Sequence, residues 1–204
     1  MDSISTASLW EPSDDARSKC RLGRFLDRLE GNHGVSLFSH EDAWRWSIDH
    51  LDEFWAEIVD EFGISFYDEP TAVMTSRDLP GARWFPGATL NYAERVLAAP
   101  GLRENAPAVR SISQSRPPIV LTIGDLRRQV AGCRAGLRRL GIRRGDRVAA
   151  YMPNISETMV AMLATASLGA IWSSCPPEFG TRAVLDRLAQ IEPAVLLVID
   201  GYRY

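Results

Sequence analysis

The sequence predicts an α/β protein: a helical N-terminal cap, then the first part of a doubly wound, mainly parallel sheet domain. In the first half, apolar residues recur at the spacing of amphipathic helices. From Gly124 to Asp200, helix-type and strand-type segments alternate, and the strand-type segments are nearly uninterrupted apolar runs. Such runs are typical of parallel strands that helices cover on both faces. We expect an incomplete sheet, because the alternation stops before the elements that normally complete such a domain.

The N-terminal cap, which we place at residues 1–103, is predicted to be helical. A first helix is expected over residues 24–29, followed by a loop that contains two glycines. A second, longer helix should begin at Ser39, because Ser39 and Asp42 have the spacing of a capping box. Its apolar residues keep helical spacing until Gly63 ends the pattern.

The main domain, placed at residues 104–204, should begin with two short strands at residues 106–112 and 118–122. Thr122 is then the expected N-cap of a long helix, and Asp125 completes a second capping box. The chain therefore enters the alternating part of the sequence through a hairpin and a well-defined helix start.

Three strands of the buried type follow, at residues 147–152, 170–174 and 194–199. Helices should connect them. Asn154 is the expected N-cap of the first connecting helix, with Glu157 at its third position. This order of strands and helices predicts the beginning of a parallel sheet.

The composition excludes several classes of partner. Hydrophobic residues make up 46% and charged residues 24%, as in soluble globular proteins, and a net charge of −3 favours no particular partner. The arginine-rich stretch from Arg127 to Arg147 contains no aromatic residue, so we reject nucleic-acid binding. No apolar run is long enough to span a membrane.

The cysteines bear on the cellular compartment. Without a secretory signal, the three separated cysteines favour the cytoplasm. These cysteines are Cys20, Cys133 and Cys175.

The common catalytic and nucleotide-binding motifs are absent from the sequence. It contains neither GxGxxG nor GxxxxGK[ST], and Ser173 and Ser174 lack the GxSxG context of a hydrolase nucleophile. The histidines fit no short metal-binding pattern, so we interpret them as surface or capping residues. They are His33, His40 and His50. The sequence therefore predicts no catalytic residue and no metal ligand.

Three segments in order resemble the adenylate-forming acyl-CoA synthetase family. Residues 145–154, GDRVAAYMPN, are similar to the first core motifs of that family. Residues 84–92, WFPGATLNY, resemble a segment of its acetyl- and acetoacetyl-CoA synthetase branch, and the acidic helix with Phe54 and Trp55 resembles the N-terminal cap of that branch. Residues 176–180 read PPEFG, whereas acetyl-CoA synthetases typically have FGGFS, and this favours the acetoacetyl-CoA synthetases.

The resemblance implies ATP-dependent ligation of acetoacetate to CoA, a step of lipid and fatty acid metabolism. ATP and the carboxylate give an acyl-adenylate and pyrophosphate, and CoA then displaces AMP. The phosphate-binding loop, magnesium-binding glutamate, ribose-binding aspartate and C-terminal lysine of the family are not found here, and Lys19 is the only lysine. We therefore interpret the chain as the N-terminal part of a longer enzyme. ATP, CoA and Mg²⁺ belong to that parent, and none is expected to bind tightly to residues 1–204.

The resemblance also marks three candidate CoA contacts. In this branch, the region after the last strand and a glycine-rich segment border the CoA nucleotide, and the matching positions are Arg203, Pro176 and Pro177. An arginine there would pair with a CoA phosphate. The prolines depart from the glycine pattern and weaken the case for a close backbone approach. The alternative for Arg203 is an exposed side chain near a chain end.

Two other functions stay open at this point. Another short-chain acyl-CoA synthetase, for acetate or propionate, would share these motifs, because the carboxylate pocket is expected beyond Tyr204. A non-catalytic, stand-alone interaction module would use the acidic, tryptophan-containing helix between Glu41 and Glu69 as its surface. The oligomeric state is not predicted.

We expect residues 1–204 alone to lack ligase activity, because nothing in them holds ATP or stabilises charge as the adenylate forms. We also expect poor stability, since the apolar strand at residues 194–199 should leave apolar surface and an unpaired edge exposed. ATP–pyrophosphate exchange with acetoacetate tests the first expectation, and light scattering with thermal melting tests the second. Exchange above background, or a monodisperse monomer that melts cooperatively, would contradict the corresponding expectation.

Overall fold

The computed structural model describes residues 10–201. The chain forms two compact units. The first holds the residues up to 65 together with residues 69–88, and the second holds residues 66–68 together with the residues from 89 onward. None of the helices in the described part has the length and apolar character that crossing a membrane would take.

The first unit is built from helices around a small apolar core. Its described helices are α1 (Ala16–Lys19), α2 (Arg21–His33), α3 (His40–Asp49) and α4 (Leu51–Glu61). The buried core residues are Phe25, Leu29, Leu37 and Trp46. Phe54 of α4 packs edge-on against Phe25 of α2, with ring centroids 6.2 Å apart, and so joins these two helices.

The first predicted helix is longer than residues 24–29. The Cys20 sulfur accepts a hydrogen bond from the Gly23 N–H over 3.1 Å and so caps the first turn of α2. Gly34 ends this helix in the left-handed conformation, at φ 65°, and its N–H donates to Glu30. The predicted helix was shorter than α2 because a cysteine is not among the usual N-cap residues, so the sequence did not indicate the start at Cys20.

The second predicted helix is two helices in the structure. His50, at φ −116° and ψ 53°, breaks the run between α3 and α4, although its N–H still donates to the Trp46 carbonyl. Apolar spacing did not reveal the break, because both helices present their apolar residues to the same core. The capping box of Ser39 and Asp42 at the start of α3 is confirmed.

One carboxylate, Glu57 of α4, is buried where α4 meets α2, with 8% of its surface exposed. Asn32 donates to its Oε1 over 2.8 Å, and His33 Nε2 lies 3.0 Å from the same oxygen. Arg28 lies 3.2 Å from Glu57 Oε2 and 3.2 Å from a carboxylate oxygen of Glu61. Burial is the largest influence and raises the pKa of Glu57, but the hydrogen bonds and the Arg28 charge together outweigh it and lower the pKa.

The second unit contains a hairpin, a parallel sheet and the helices that cover it. Its described elements are α5 (Tyr92–Leu97), β1 (Pro107–Ser111), β2 (Ile119–Thr122), α6 (Ile123–Arg139), β3 (Arg147–Tyr151), α7 (Ser156–Ser167), β4 (Ile171–Cys175), α8 (Thr181–Leu188), a 3₁₀ turn (Ala189–Ile191) and β5 (Val195–Val198). Strands β1 and β2 pair antiparallel. The capping box of Thr122 and Asp125 at the start of α6 is confirmed.

The parallel sheet has the order β4-β3-β5, with β3 in the middle. Val148 of β3 belongs to the core formed with α6 and α7, whereas Ala149 belongs to a second core with Val184 and Leu188 of α8. Because neighbouring residues of a strand face opposite sides, helices cover both faces of the sheet. The predicted α/β class, with a doubly wound beginning, is confirmed.

Strand β5 is less well covered than β3. Its Leu196 pairs with Ala149 and its Val198 pairs with Tyr151, so both lie on the face that α8 covers. Helix α8 packs over β3 and β4 and leaves Leu196 51% and Val198 58% exposed. This exposed apolar surface is what the sequence-based expectation of poor stability depends on, and that expectation stays a prediction.

The start of α7 differs from the prediction. Its N-cap is Ile155, with no side-chain hydrogen bond, and not Asn154. Ile155 has extended backbone, φ −119° and ψ 165°, so the helix begins one residue later than predicted. Glu157 consequently falls at the second helical position and pairs with Arg116 at 2.6 Å. This hydrogen bond is the main cause that lowers the pKa of Glu157.

We expect acid to loosen the packing of α4 on α2. A carboxylate whose pKa falls on folding stabilises the protein above its unfolded-state pKa, and this contribution is lost as the pH falls through the lower, folded-state pKa. The free energy of opening of α2 and α4 should therefore decrease as the pH falls below the ordinary glutamate pKa of about 4.3. It can be measured by amide hydrogen exchange corrected for intrinsic rates. At neutral pH, Glu57→Gln should lower it by about 2 kcal/mol.

The matched control is Glu53→Gln, on the same helix. Glu53 is half exposed and paired with His50, so its replacement should change the opening free energy by less than about 0.5 kcal/mol. The interpretation of Glu57 is wrong if the Glu57→Gln variant keeps the full acid dependence of the wild-type chain.

Candidate ligand-binding site at the carboxyl edge of the sheet

The sheet has a topological switch point beside β3. Helix α7 leads from β3 to β4 on one side, and α8 then carries the chain back across to β5 on the other side. In open α/β sheets, ligands bind in the crevice outside the carboxyl ends of the strands at such a point. The carboxyl ends here are Tyr151, Cys175 and Val198. This edge is the candidate site.

Tyr151, the last residue of β3, holds the loop that follows β4. Its hydroxyl group lies 2.8 Å from the Pro177 carbonyl oxygen and 2.8 Å from the Phe179 carbonyl oxygen, and these two acceptors share its single proton. The Phe179 N–H donates to the Pro176 carbonyl over 3.2 Å, which closes a turn within the loop. The Arg187 guanidinium lies 4.8 Å above the Phe179 ring. Residues 176–180, which we call the β4 loop, are thus tied to both β3 and α8.

The two prolines that were predicted to contact CoA differ in their exposure. Pro176 is exposed, whereas Pro177 is buried and its carbonyl accepts from Tyr151. Of the two, Pro176 is therefore the one with side-chain surface available to a ligand. Arg203 lies outside the described residues, so its relation to the prolines stays a prediction.

The side chains that follow the β4 loop supply positive charge. Arg182, in the first turn of α8, is exposed, and Arg187 lies one to two turns further along the helix. Glu178, in the loop itself, is also exposed. Among residues 10–201, no three His, Cys, Asp or Glu side chains are grouped so that they would hold a metal ion. The exposed Asp186 adds a second negative charge, so charges of both signs lie at this edge.

The role of Tyr151 was missed by reasoning from the sequence. A signal was present, because a hydroxyl-bearing aromatic ends an otherwise apolar strand, and the β4 loop begins with two residues that lack an N–H. Buried carbonyls in such a loop need donors from elsewhere. Which donor supplies them depends on the strand order, and the sequence did not specify that order.

Comparison with known families identifies the class. Residues 99–203 match the family described as AMP-binding enzyme, and residues 40–96 match the family described as acetyl-coenzyme A synthetase N-terminus. Because the first match covers more than half of the chain, the chain belongs to the AMP-binding enzyme family. The expected resemblance to the acyl-CoA synthetases is confirmed.

The individual relatives point to one branch. The chain is 38% identical to acetoacetyl-CoA synthetase of Macaca fascicularis, over 96% of this chain and 29% of the relative. It is 39% identical to malonamoyl-CoA synthetase of Penicillium aethiopicum, over 96% of this chain and 28% of the relative. The solved acetoacetyl-CoA synthetase from Streptomyces lividans superposes with a TM-score of 0.90 at 45% identity, over 97% of this chain and 31% of that one. The chain thus spans about three tenths of the length of these relatives.

Differences in burial among the three cysteines predict which of them a thiol reagent modifies first. Cys175, at the carboxyl end of β4, is 3% exposed, and burial raises the pKa of the half-buried Cys133 thiol. Cys20 is exposed. N-ethylmaleimide should therefore modify Cys20 at least about tenfold faster than the other two, as followed by peptide mass spectrometry. A Cys20→Ser variant serves as the control, and modification of Cys175 as fast as Cys20 would show that the β4 loop is not packed as described.

Proposed function

We propose that this protein takes part in the ATP-dependent ligation of acetoacetate to CoA. The observation that carries the proposal is the similarity to acetoacetyl-CoA synthetases, which extends over both compact units and holds at the level of the fold. The proposal covers the parent enzyme, since this chain matches less than a third of the length of those relatives. Cytoplasmic location is part of the proposal.

The reaction has two steps. A carboxylate oxygen of acetoacetate attacks the α-phosphorus of ATP, the bond to pyrophosphate breaks, and an acyl-adenylate forms. The CoA sulfur then attacks the acyl carbon, the bond to AMP breaks, and the thiol proton is released. Charge that develops in both steps needs positioned cations or N–H donors. With Lys19 as the only lysine, residues 1–204 supply no catalytic lysine for this purpose.

We propose that residues 1–103 are the N-terminal cap and that residues 104–204 begin the AMP-binding domain. The ranges of the two family matches support this division. Within the second part, we propose that the carboxyl edge of the sheet borders the CoA nucleotide, with Pro176 and Arg203 as contacts; the buried Pro177 would act only through the conformation of the loop. The positive charge of Arg182 suits the phosphates of CoA, and the exposed Pro176 offers apolar surface to the rest of the nucleotide. Mg²⁺ is part of the proposal for the parent enzyme, and we assign it to no residue of this chain.

A second substrate is favoured by the malonamoyl-CoA synthetase relative. Malonamate and acetoacetate are both short carboxylates with a carbonyl group at the β-position, and they differ by an amide nitrogen in place of a methyl group. A carboxylate pocket that forms a hydrogen bond with the amide group would discriminate strongly between the two substrates. A pocket that recognises only their shape would not. Acetate and propionate lack the β-carbonyl and are the weaker candidates.

The test uses the complete polypeptide that the gene encodes. ATP–pyrophosphate exchange is measured with acetoacetate, malonamate, acetate and propionate, and thioester formation is then measured with CoA. We expect kcat/KM for acetoacetate to exceed that for acetate by at least about tenfold, because the β-carbonyl offers a hydrogen-bonding group that acetate lacks. A preference for acetate would overturn the choice of substrate. A folded protein without exchange for any acid would favour the interaction module.

A further inference from the structure

We infer that Tyr151 is a positioning residue for CoA: its hydroxyl group sets the conformation of the β4 loop that borders the nucleotide. The inference rests on the proposed function, because it assigns a role at the same edge of the sheet. Tyr151 acts through the loop and not by contact with the reacting atoms.

Tyr151 is held in a fixed position by the sheet and by the core under α8. Tyr151 pairs in register with Cys175 of β4 and with Val198 of β5, so the strand that carries it is held on both sides. Its ring packs in the apolar core under α8, next to Phe179. A tyrosine held in this way loses little further freedom when its hydroxyl group donates, and it fixes the height of the loop above the sheet edge.

The β4 loop depends on this donor. Pro176 and Pro177 have no N–H, and the Phe179 N–H is used within the loop. The Tyr151 hydroxyl group instead reaches two carbonyl oxygens of the loop, those of Pro177 and Phe179, which lie on either side of Glu178. Turning the Pro177 carbonyl toward Tyr151 buries that proline and leaves Pro176 on the outside.

A second contact holds the loop from the side of α8. The Arg187 guanidinium stacks on the Phe179 ring, with 4.8 Å between its central carbon and the ring centroid. Loss of the Tyr151 hydroxyl group should therefore loosen the loop without unfolding it. This separates a positioning role from a general structural one, since the ring of a phenylalanine would keep its place in the core.

The test compares Tyr151→Phe with wild type in the complete polypeptide. CoA enters only the second step, so adenylation measured by ATP–pyrophosphate exchange should stay within about twofold of wild type. KM for CoA should rise by about three- to tenfold, because losing one internal hydrogen bond lowers the population of the loop conformation that binds CoA. Arg187→Met, which removes the cation over Phe179, should raise KM for CoA in the same direction. Tyr92→Phe is the matched control, because Tyr92 is an exposed tyrosine on α5, and it should leave both measurements unchanged.

The outcomes separate the inference from the proposed function. Unchanged KM for CoA in Tyr151→Phe, with normal exchange, overturns the inference and leaves the function standing. Equal losses in exchange and in thioester formation, with a lowered melting temperature, show that Tyr151 is only structural and also overturn it. Absence of exchange in the wild-type protein rejects the proposed function itself.

Discussion

The pairing of β3 on both of its sides is the interaction on which the rest of the second unit depends. Val148, Ala149 and Ala150 expose no surface, because strands flank them and helices cover them above and below. The small side chain of Ala149 lets α8 approach the sheet closely. The same pairing fixes Tyr151 at the carboxyl edge, so the geometry of the candidate site follows directly from the central strand.

Much of the fold could be predicted from the sequence, because its signals are local. Thr122 and Asp125 form a capping box wherever the rest of the chain lies, and an apolar run such as residues 147–152 predicts a buried strand. Asn154 shows the limit of local rules, since one extended residue, Ile155, moved the start of α7. The break at His50 was missed for a similar reason, because helical spacing continues across it.

The candidate site was less predictable. Pro176 and Pro177 were singled out from family resemblance, but the burial of one and the exposure of the other depend on a hydrogen bond from a different strand. That bond requires the order β4-β3-β5, which a single sequence does not specify. Glu57 is a further case: it belongs to a run of acidic residues that resembles a solvated face, yet it is buried against Arg28.

The position of β3 has a consequence for how the chain folds as it is synthesised. A strand that is central in the sheet but first in the sequence leaves the ribosome before either of its neighbours, and its second edge waits for β5. Until then, one edge of this largely apolar strand has unpaired backbone N–H and C=O groups. An exposed strand edge of this kind is prone to aggregation and is a surface that chaperones bind. The helices of the first unit, which end at Glu61, are synthesised well before β3. The chain therefore meets its greatest hazard of misassembly late in the synthesis of these residues, when the helices of the first unit have already been made.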